Sequence, residues 1–299
     1  MEKSILKQKR KLGFSLGLLL VSSEIVFTVL LLLLNQIGVV TEENSTLITY
    51  VVNAFSMYVV SYLLLQLALR KVENAEKRPK VKLGTKKMLW YLFIVLGMGT
   101  FCSTFTNEIV TMITNLFNIE IADRVSELMS NSNPIPMVLF VAIIGPIFEE
   151  LIFRGLLLKK LRVYGDKTAI IYTSIAFGLF HTNVSQILYA GVIGAVLAYV
   201  VVKTNNIKYS IIMHIIVNML SSIATIFTIY GMEVMQIIYA VMLMLLTIVA
   251  VIVVPIRGAK NKVDIPNDSK YDKKKLYNNI GYIFSCIIVI IITILGSVA

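Results

Sequence analysis

The chain has 299 residues, of which 57% are hydrophobic and only 15% are charged, and its mean hydropathy is +0.82. Soluble domains are ~45–50% apolar and ~25% charged, so this composition excludes an ordinary soluble protein. The formal net charge of +11 is concentrated in short segments between apolar runs, so it does not require a nucleic-acid partner.

Nine apolar stretches follow one another along the chain, most of them long enough to cross a hydrocarbon core ~30 Å thick as helices. The first stretch follows several lysines but is too long for a signal peptide and has no A-x-A cleavage site, so we expect it to be retained. The sequence therefore predicts an all-α, polytopic transmembrane bundle of about nine helices. The predicted spans are 13–39, 46–69, 88–108, 136–158, the short 168–182, 185–202, 209–229, 234–256 and 279–297.

The basic residues predict an orientation, because Lys and Arg concentrate in cytoplasmic loops. If the N-terminus is inside and the C-terminus outside, 26 of the 28 basic residues are cytoplasmic, and only Arg124 and Arg154 are left over. The basic loop at 70–87 is then expected to lie against anionic lipid headgroups. The cytoplasmic segments are 1–12, 70–87, 159–167, 203–208 and 257–278.

Two segments between spans have a distinct character. Residues 109–131 mix apolar side chains with charged ones, which predicts an amphipathic helix on the outer surface. Its charged residues are Glu120, Asp123, Arg124 and Glu127. The charged segment 257–278 predicts a flexible linker to a separable last helix. We therefore divide the chain into N-terminal helices at 1–133, a core at 134–230 and C-terminal helices at 231–299.

Ionisable residues within the spans are few, and each costs ~2.5–3.5 kcal/mol on insertion scales, so we treat them as functional candidates. Glu149, Glu150 and Arg154 lie in the fourth span. Glu150 and Arg154 are i, i+4 neighbours, a spacing that favours an ion pair. Glu149 is rotated by ~100° and needs a different partner, so its carboxylate is a candidate general base.

The chain has only two histidines, and both fall within predicted spans. His181 ends the run Phe177-Gly-Leu-Phe-His181. His214 precedes Asn218 by one helical turn, so we expect the two to point toward one neighbouring helix. The structural alternative for each group alone is a hydrogen bond or ion pair that joins helices, to which we give equal weight. A lone Glu24 in the first span is expected to face the bundle interior beside a hydroxyl such as that of Ser22 or Ser23.

The three groups together, in this order on successive helices, resemble the CPBP family of CAAX proteases and bacteriocin-processing proteins. The motifs are Glu-Glu-x-x-x-Arg at 149–154, Phe-x-x-x-His at 177–181 and His-x-x-x-Asn at 214–218. The resemblance covers roughly 134–230, including the small-residue run Ala190-Gly-Val-Ile-Gly194, which allows close helix packing.

The resemblance implies an intramembrane endopeptidase with a defined division of labour. Glu149 and His181 would hold and activate the attacking water, and His214 and Asn218 would stabilise the oxyanion. Glu150 and Arg154 would support these groups. General bases and oxyanion donors are the parts that amide hydrolysis needs.

The need for a metal stays open at this point. Glu149, His181 and His214 would supply the three protein ligands of a catalytic zinc site, which makes a metalloprotease one interpretation. The sequence contains no H-E-x-x-H motif, however, and the two histidines are 33 positions apart. A metal-free mechanism with a water-activating glutamate is the other interpretation.

Two further classes of function fit some of the same residues. A non-catalytic immunity or scaffold protein would keep the family fold and bind a peptide or membrane protein, but it has no need of a buried Glu-Glu pair. A proton-coupled transporter could use the carboxylates and histidines as relay groups, although no inverted repeat is visible. The Ile-, Lys- and Asn-rich composition favours a bacterial cell-membrane protein, and the resemblance implies that its substrate is a peptide or membrane protein.

The topology can be tested by labelling single cysteines from either side of the membrane, in a variant from which Cys102 and Cys286 have been removed. We expect a membrane-impermeant reagent to label Thr46→Cys from outside only and Lys80→Cys from inside only. The opposite pattern would reverse the predicted orientation.

Overall fold

A computed structural model of the protein describes residues 2–118, 121, 123–260, 265, 269–271, 276 and 279–297. All regular elements in these ranges are helices, which confirms the predicted all-α class. Glu120 and most of the linker 257–278 lie outside the described residues. The helices are α1 Glu2–Gln36, α2 Ser45–Leu69, α3 Thr85–Phe117, α4 Arg124–Ser130, α5 Pro134–Tyr164, α6 Asp166–Phe180, α7 Val184–Thr204, α8 Ile207–Ile229, α9 Glu233–Lys260 and α10 Ile280–Ser297.

Seven helices in the described part of the chain are long and apolar enough to cross a membrane, namely α1, α2, α3, α5, α7, α8 and α9. The other two predicted spans correspond to α10, which is apolar but shorter, and to the 15-residue α6. Every predicted span therefore coincides with a helix. The number of crossings and their orientation stay predictions.

The predicted amphipathic helix at 109–131 is wrong in its extent. Helix α3 continues to Phe117, because no helix-breaking residue interrupts it, and it ends at Asn118 in a left-handed conformation with φ 49°. A separate short helix, α4, starts after Asp123, whose side chain accepts a hydrogen bond from the backbone N–H of Ser126. Two helices, α3 and α4, thus take the place of the single predicted helix.

Glu24 does not face the bundle interior as expected. The buried face of α1 is formed by leucines at helical spacing, including Leu16 and Leu19, and Ser23 continues this face. Glu24 is the next residue, rotated by ~100°, and its side chain is exposed. The hydroxyl of Ser22 donates to the carbonyl of Leu18 in its own helix rather than to a carboxylate.

Helix α10 packs along α1 and is not separate from the bundle. The backbone N–H of Gly17 donates to the Ser285 hydroxyl at 2.9 Å, and that hydroxyl donates to the carbonyl of Gly13 at 2.6 Å. A Cβ at Gly281 would collide with the backbone of Arg10, so the two helices touch directly through their glycines. This pairing joins the N-terminal and C-terminal parts of the chain.

The segment between α2 and α3 is fastened to one end of the core helices, near Lys160, Arg162 and Asp166. Arg78 and Arg162 both form ion pairs with Asp166, at 2.7 Å in each case. The buried ammonium of Lys160 donates to the carbonyl of Val72 at 2.8 Å. The N-terminal helices and the core are therefore held together at this end of the bundle.

Helices α6 and α7 pack so closely that a side chain at their crossing would not fit. A Cβ at Gly178 would collide with the carbonyl oxygen of Ile187 and would lie 3.2 Å from the Cα of Gly191. The absence of a side chain at Gly178 therefore lets the two backbones approach. This contact positions the end of α6, where His181 lies.

The close approach predicts different effects for two alanine substitutions. Gly178→Ala should destabilise the protein by about 1–3 kcal/mol, because the methyl group meets backbone that cannot move aside. Gly191→Ala is the matched control, because its Cβ would meet only the carbonyl oxygen of Ser174 at an ordinary 3.6 Å. Thermal unfolding in detergent should show a lower melting temperature for the first variant alone. Equal melting temperatures would contradict the packing of α6 against α7.

Candidate active site

A buried ion pair lies at the centre of the site. Arg154 donates from Nη1 to Glu150 Oε1 at 2.6 Å, and both side chains are fully buried. The guanidinium also donates from Nη2 to the carbonyl of Gly194 at 3.0 Å and lies over the ring of Phe177, 4.4 Å from its centroid. The i, i+4 spacing in α5 thus gives the predicted pair, and α6 and α7 complete its surroundings.

His214 on α8 lies between the two carboxylates. Its Nδ1 is 3.1 Å from Glu150 Oε1, and because a carboxylate only accepts, Nδ1 carries the proton and donates it. Its Nε2 lies 3.8 Å from Glu149 Oε2. One imidazole therefore bridges the paired carboxylate of Glu150 and the second carboxylate of Glu149.

Glu149 makes its own contact on the other side. Its Oε1 accepts a hydrogen bond of 3.2 Å from the hydroxyl of Tyr58, a residue of α2. Its Oε2 is buried and has no hydrogen-bond partner among the described residues. Tyr58 is not recognisable as a site residue from the sequence, because a tyrosine in an apolar run 91 positions before Glu149 has the pattern of a packing residue.

His181 reaches the site through an aromatic cluster. Its Nδ1 is 2.8 Å from the carbonyl oxygen of Phe177, one turn earlier, so Nδ1 is the protonated nitrogen and Nε2 has a free lone pair. The Phe177 ring centroid lies 5.0 Å from the His181 ring and 5.6 Å from the His214 ring. Phe177 therefore contacts Arg154 and both histidines.

The turn after His181 has an unusual backbone. Thr182 has φ 47°, a left-handed conformation that is an outlier for a β-branched residue. Asn183 then caps α7 by accepting from the N–H of Ser185, and its amide donates to Asp123 at 2.7 Å. The turn is thereby fixed at both ends, and with it the position of His181.

Asn218 also faces α5, as the spacing from His214 predicts. Its amide donates to the carbonyl of Val141 at 2.9 Å. Val141 lies in a wider, π-helical segment at Val138–Ile144, and a second such segment at Leu151–Leu158 follows the Glu-Glu pair. Short π-helical segments occur often at functional sites. The acidic pair therefore sits on a regular piece of helix, Gly145–Glu150, between two irregular ones.

The structure thus brings Glu149, Glu150, Arg154 and His214 into direct proximity. His181 joins this group through the Phe177 ring, and Asn218 lies one turn further along α8. A single polar cavity shared by Glu149, His181 and His214, which the catalytic interpretation requires, stays a prediction.

The site residues do not fit the zinc site that was one interpretation of the sequence. Within the part of the chain that the structure describes, no group of three or more His, Cys, Asp and Glu side chains is arranged to hold a metal ion. Glu149, His181 and His214 are therefore not such a group. Each histidine uses Nδ1 for a hydrogen bond, His214 to Glu150 and His181 to the carbonyl of Phe177. The metalloprotease interpretation is not supported.

The comparison with protein families matches the segment that contains all six candidate residues. Residues 131–220 match the family model described as type II CAAX prenyl endopeptidase Rce1-like. No curated protein and no solved structure matches the chain significantly. The match confirms the resemblance to the CPBP family, and that family is one of proteases. The chain is thus a multi-pass membrane protein whose residues 131–220 are similar to the Rce1-like type II CAAX prenyl endopeptidase family.

Proposed function

We propose that the protein is an intramembrane endopeptidase that uses Glu149 as its general base and cleaves a membrane-associated peptide or protein. The supporting observation is the difference between the two carboxylates. Each carboxylate has a buried Oε2 without a hydrogen-bond partner among the described residues, but only Glu150 is ion-paired with Arg154. An adjacent cation makes a carboxylate a weaker proton acceptor, so Glu149 is the better general base of the two.

In the proposed reaction the water oxygen attacks the scissile carbonyl carbon. Glu149 Oε2 takes one proton of the water, and His181 Nε2, whose lone pair is free, accepts a hydrogen bond from the other O–H. The tetrahedral intermediate then collapses, the C–N bond breaks, and the proton on Glu149 passes to the leaving nitrogen. Atoms and protons balance without any further reactant.

The oxyanion needs hydrogen-bond donors aimed at the carbonyl oxygen. Asn218 uses one amide N–H for the carbonyl of Val141, so its second N–H can donate to the substrate. His214 can donate from Nε2 when both ring nitrogens carry protons, since Nδ1 already donates to Glu150. Both donors lie on α8, facing the helix that carries the base.

The function is tested by comparing the membrane peptides of cells that carry either the wild type or Glu149→Gln. We expect C-terminal and N-terminal fragments of one or a few membrane-associated proteins to be present with the wild type and absent with the variant. Glu108→Gln is the matched control, because this exposed glutamate lies on α3, outside the site. Identical peptide sets for the wild type and Glu149→Gln would refute a peptidase that depends on this base.

The acidic pair predicts two distinct phenotypes. Glu150→Gln leaves the buried guanidinium of Arg154 without its counter-charge, and removing one partner of a buried pair costs ~3–5 kcal/mol. The abundance of Glu150→Gln in membranes, its melting temperature and its activity should therefore all fall. Glu149→Gln keeps the shape of the side chain and should accumulate normally, while its rate of hydrolysis falls by ~10²-fold to 10⁴-fold.

Quantitative immunoblotting of membranes, together with peptide processing, separates these two roles. Normal processing by Glu149→Gln would rule out the glutamate base. Equal instability of the two variants would mean that the pair is structural.

A further inference from the structure

Tyr58 enters the site from outside the matched segment 131–220. It lies on α2, and its hydroxyl donates to Glu149 Oε1 at 3.2 Å. Its ring is stacked on that of Phe148, with centroids 5.2 Å apart and an angle of 14° between the planes. The ring contact fixes the direction of the phenol, so the hydroxyl points to the carboxylate of Glu149.

The sequence of α5 leaves room for this contact. A Cβ added at Gly145 would lie 3.3 Å from the Tyr58 hydroxyl and 3.5 Å from Glu149 Oε1. Gly145 is one turn before Glu149, on the same face of the helix. The glycine therefore opens the surface of α5 at the place where the phenol reaches the carboxylate. On the neighbouring helix α2, Tyr58 lies in a π-helical segment, Phe55–Ser61.

The contact matters because a glutamate side chain has three rotatable bonds, and a general base must hold one oxygen in a fixed place. In the structure the Tyr58 hydroxyl donates a hydrogen bond to Oε1 of Glu149, and Oε2 of the same carboxylate is turned toward Nε2 of His214. Without the phenol, the carboxylate could rotate toward other donors and lose this direction. One hydrogen bond thereby assigns different roles to the two oxygens.

We propose that Tyr58 is the positioning residue of the general base: it holds Glu149 Oε1 so that Oε2 is presented to the attacking water. This inference rests on the proposed function of Glu149. It also means that the N-terminal helices contribute to the reaction, and that the matched segment alone would be an incomplete enzyme.

The test is the kinetics of Tyr58→Phe in the full-length protein reconstituted in liposomes. The probe is a fluorescence-quenched synthetic peptide spanning the bond whose cleavage Glu149→Gln abolishes in cells. Tyr58→Phe keeps the ring stacked on Phe148 and removes only the hydroxyl. We expect kcat to fall about 10-fold to 100-fold with KM unchanged within about twofold, since orientation of the base acts in the transition state.

Tyr62→Phe is the matched control, because Tyr62 lies one turn further along α2 and packs against the hydrophobic core. It should leave both kcat and KM within about twofold of the wild type. A wild-type kcat for Tyr58→Phe would overturn the proposal. A fall in kcat of the same size for Tyr62→Phe would also overturn it, because the effect would then belong to the packing of α2.

A double substitution separates positioning from general packing. Glu149→Asp withdraws the carboxylate by about 1.5 Å, one C–C bond, beyond reach of the phenol. Adding Tyr58→Phe to Glu149→Asp should then change kcat by no more than about twofold, because the two changes disrupt one interaction. An equal fractional loss in both backgrounds would identify Tyr58 as a packing residue and overturn the proposal.

The failure of this inference is distinguishable from the failure of the proposed function. If Glu149→Gln is inactive and Tyr58→Phe matches the wild type, the assignment of Glu149 as the general base stands and only the role of Tyr58 is refuted. If Glu149→Gln cleaves normally, the base is wrong and the role of Tyr58 falls with it.

Discussion

The buried charge of Arg154 is the constraint on which the arrangement of the core helices depends. A guanidinium removed from water is very costly unless its charge is balanced and its N–H groups have acceptors. Glu150 on its own helix supplies the charge, the carbonyl of Gly194 accepts a second bond, and Phe177 covers the cation with its ring. These contacts come from α5, α7 and α6, so the three helices meet at the cation.

The same pair determines what the remaining polar groups can do. Because Arg154 satisfies the charge of Glu150, that carboxylate is free to orient His214 through Nδ1. The imidazole then faces Glu149 with its other nitrogen. Glu150 and Glu149 are neighbours in sequence, but the helix directs them to different hydrogen-bond partners, His214 on α8 and Tyr58 on α2.

Much of this core could be predicted from the sequence, because it follows from short-range helix geometry. The spacing of Glu150 and Arg154 predicted their ion pair, and the spacing of His214 and Asn218 predicted that both face one neighbour. The small residues near Ala190 predicted the close packing of α7. Each of these inferences needs only the 3.6-residue period of a helix and the high cost of an isolated charge in lipid.

The features that the sequence analysis missed depend on tertiary contacts. The Tyr58 hydroxyl is recognisable as functional only when α2 is placed beside α5. The left-handed turn at Thr182 goes against the preference of a β-branched residue, so the surrounding contacts must impose it. Glu24 was assigned to the interior from its chemistry alone, whereas the leucines of α1 decide which face is buried.

The pairing of α1 with α10 has a consequence for the order in which the bundle assembles. Gly17 and Ser285 are 268 positions apart, so their contact closes a far larger loop than the contacts between successive helices. Such long-range contacts form only after the entropy of loop closure has been offset by local ones. We therefore expect the interface between α1 and α10 to form late in folding. A pair of fluorophores on these two helices would report the completion of the fold. A pair on two successive helices would report only its beginning.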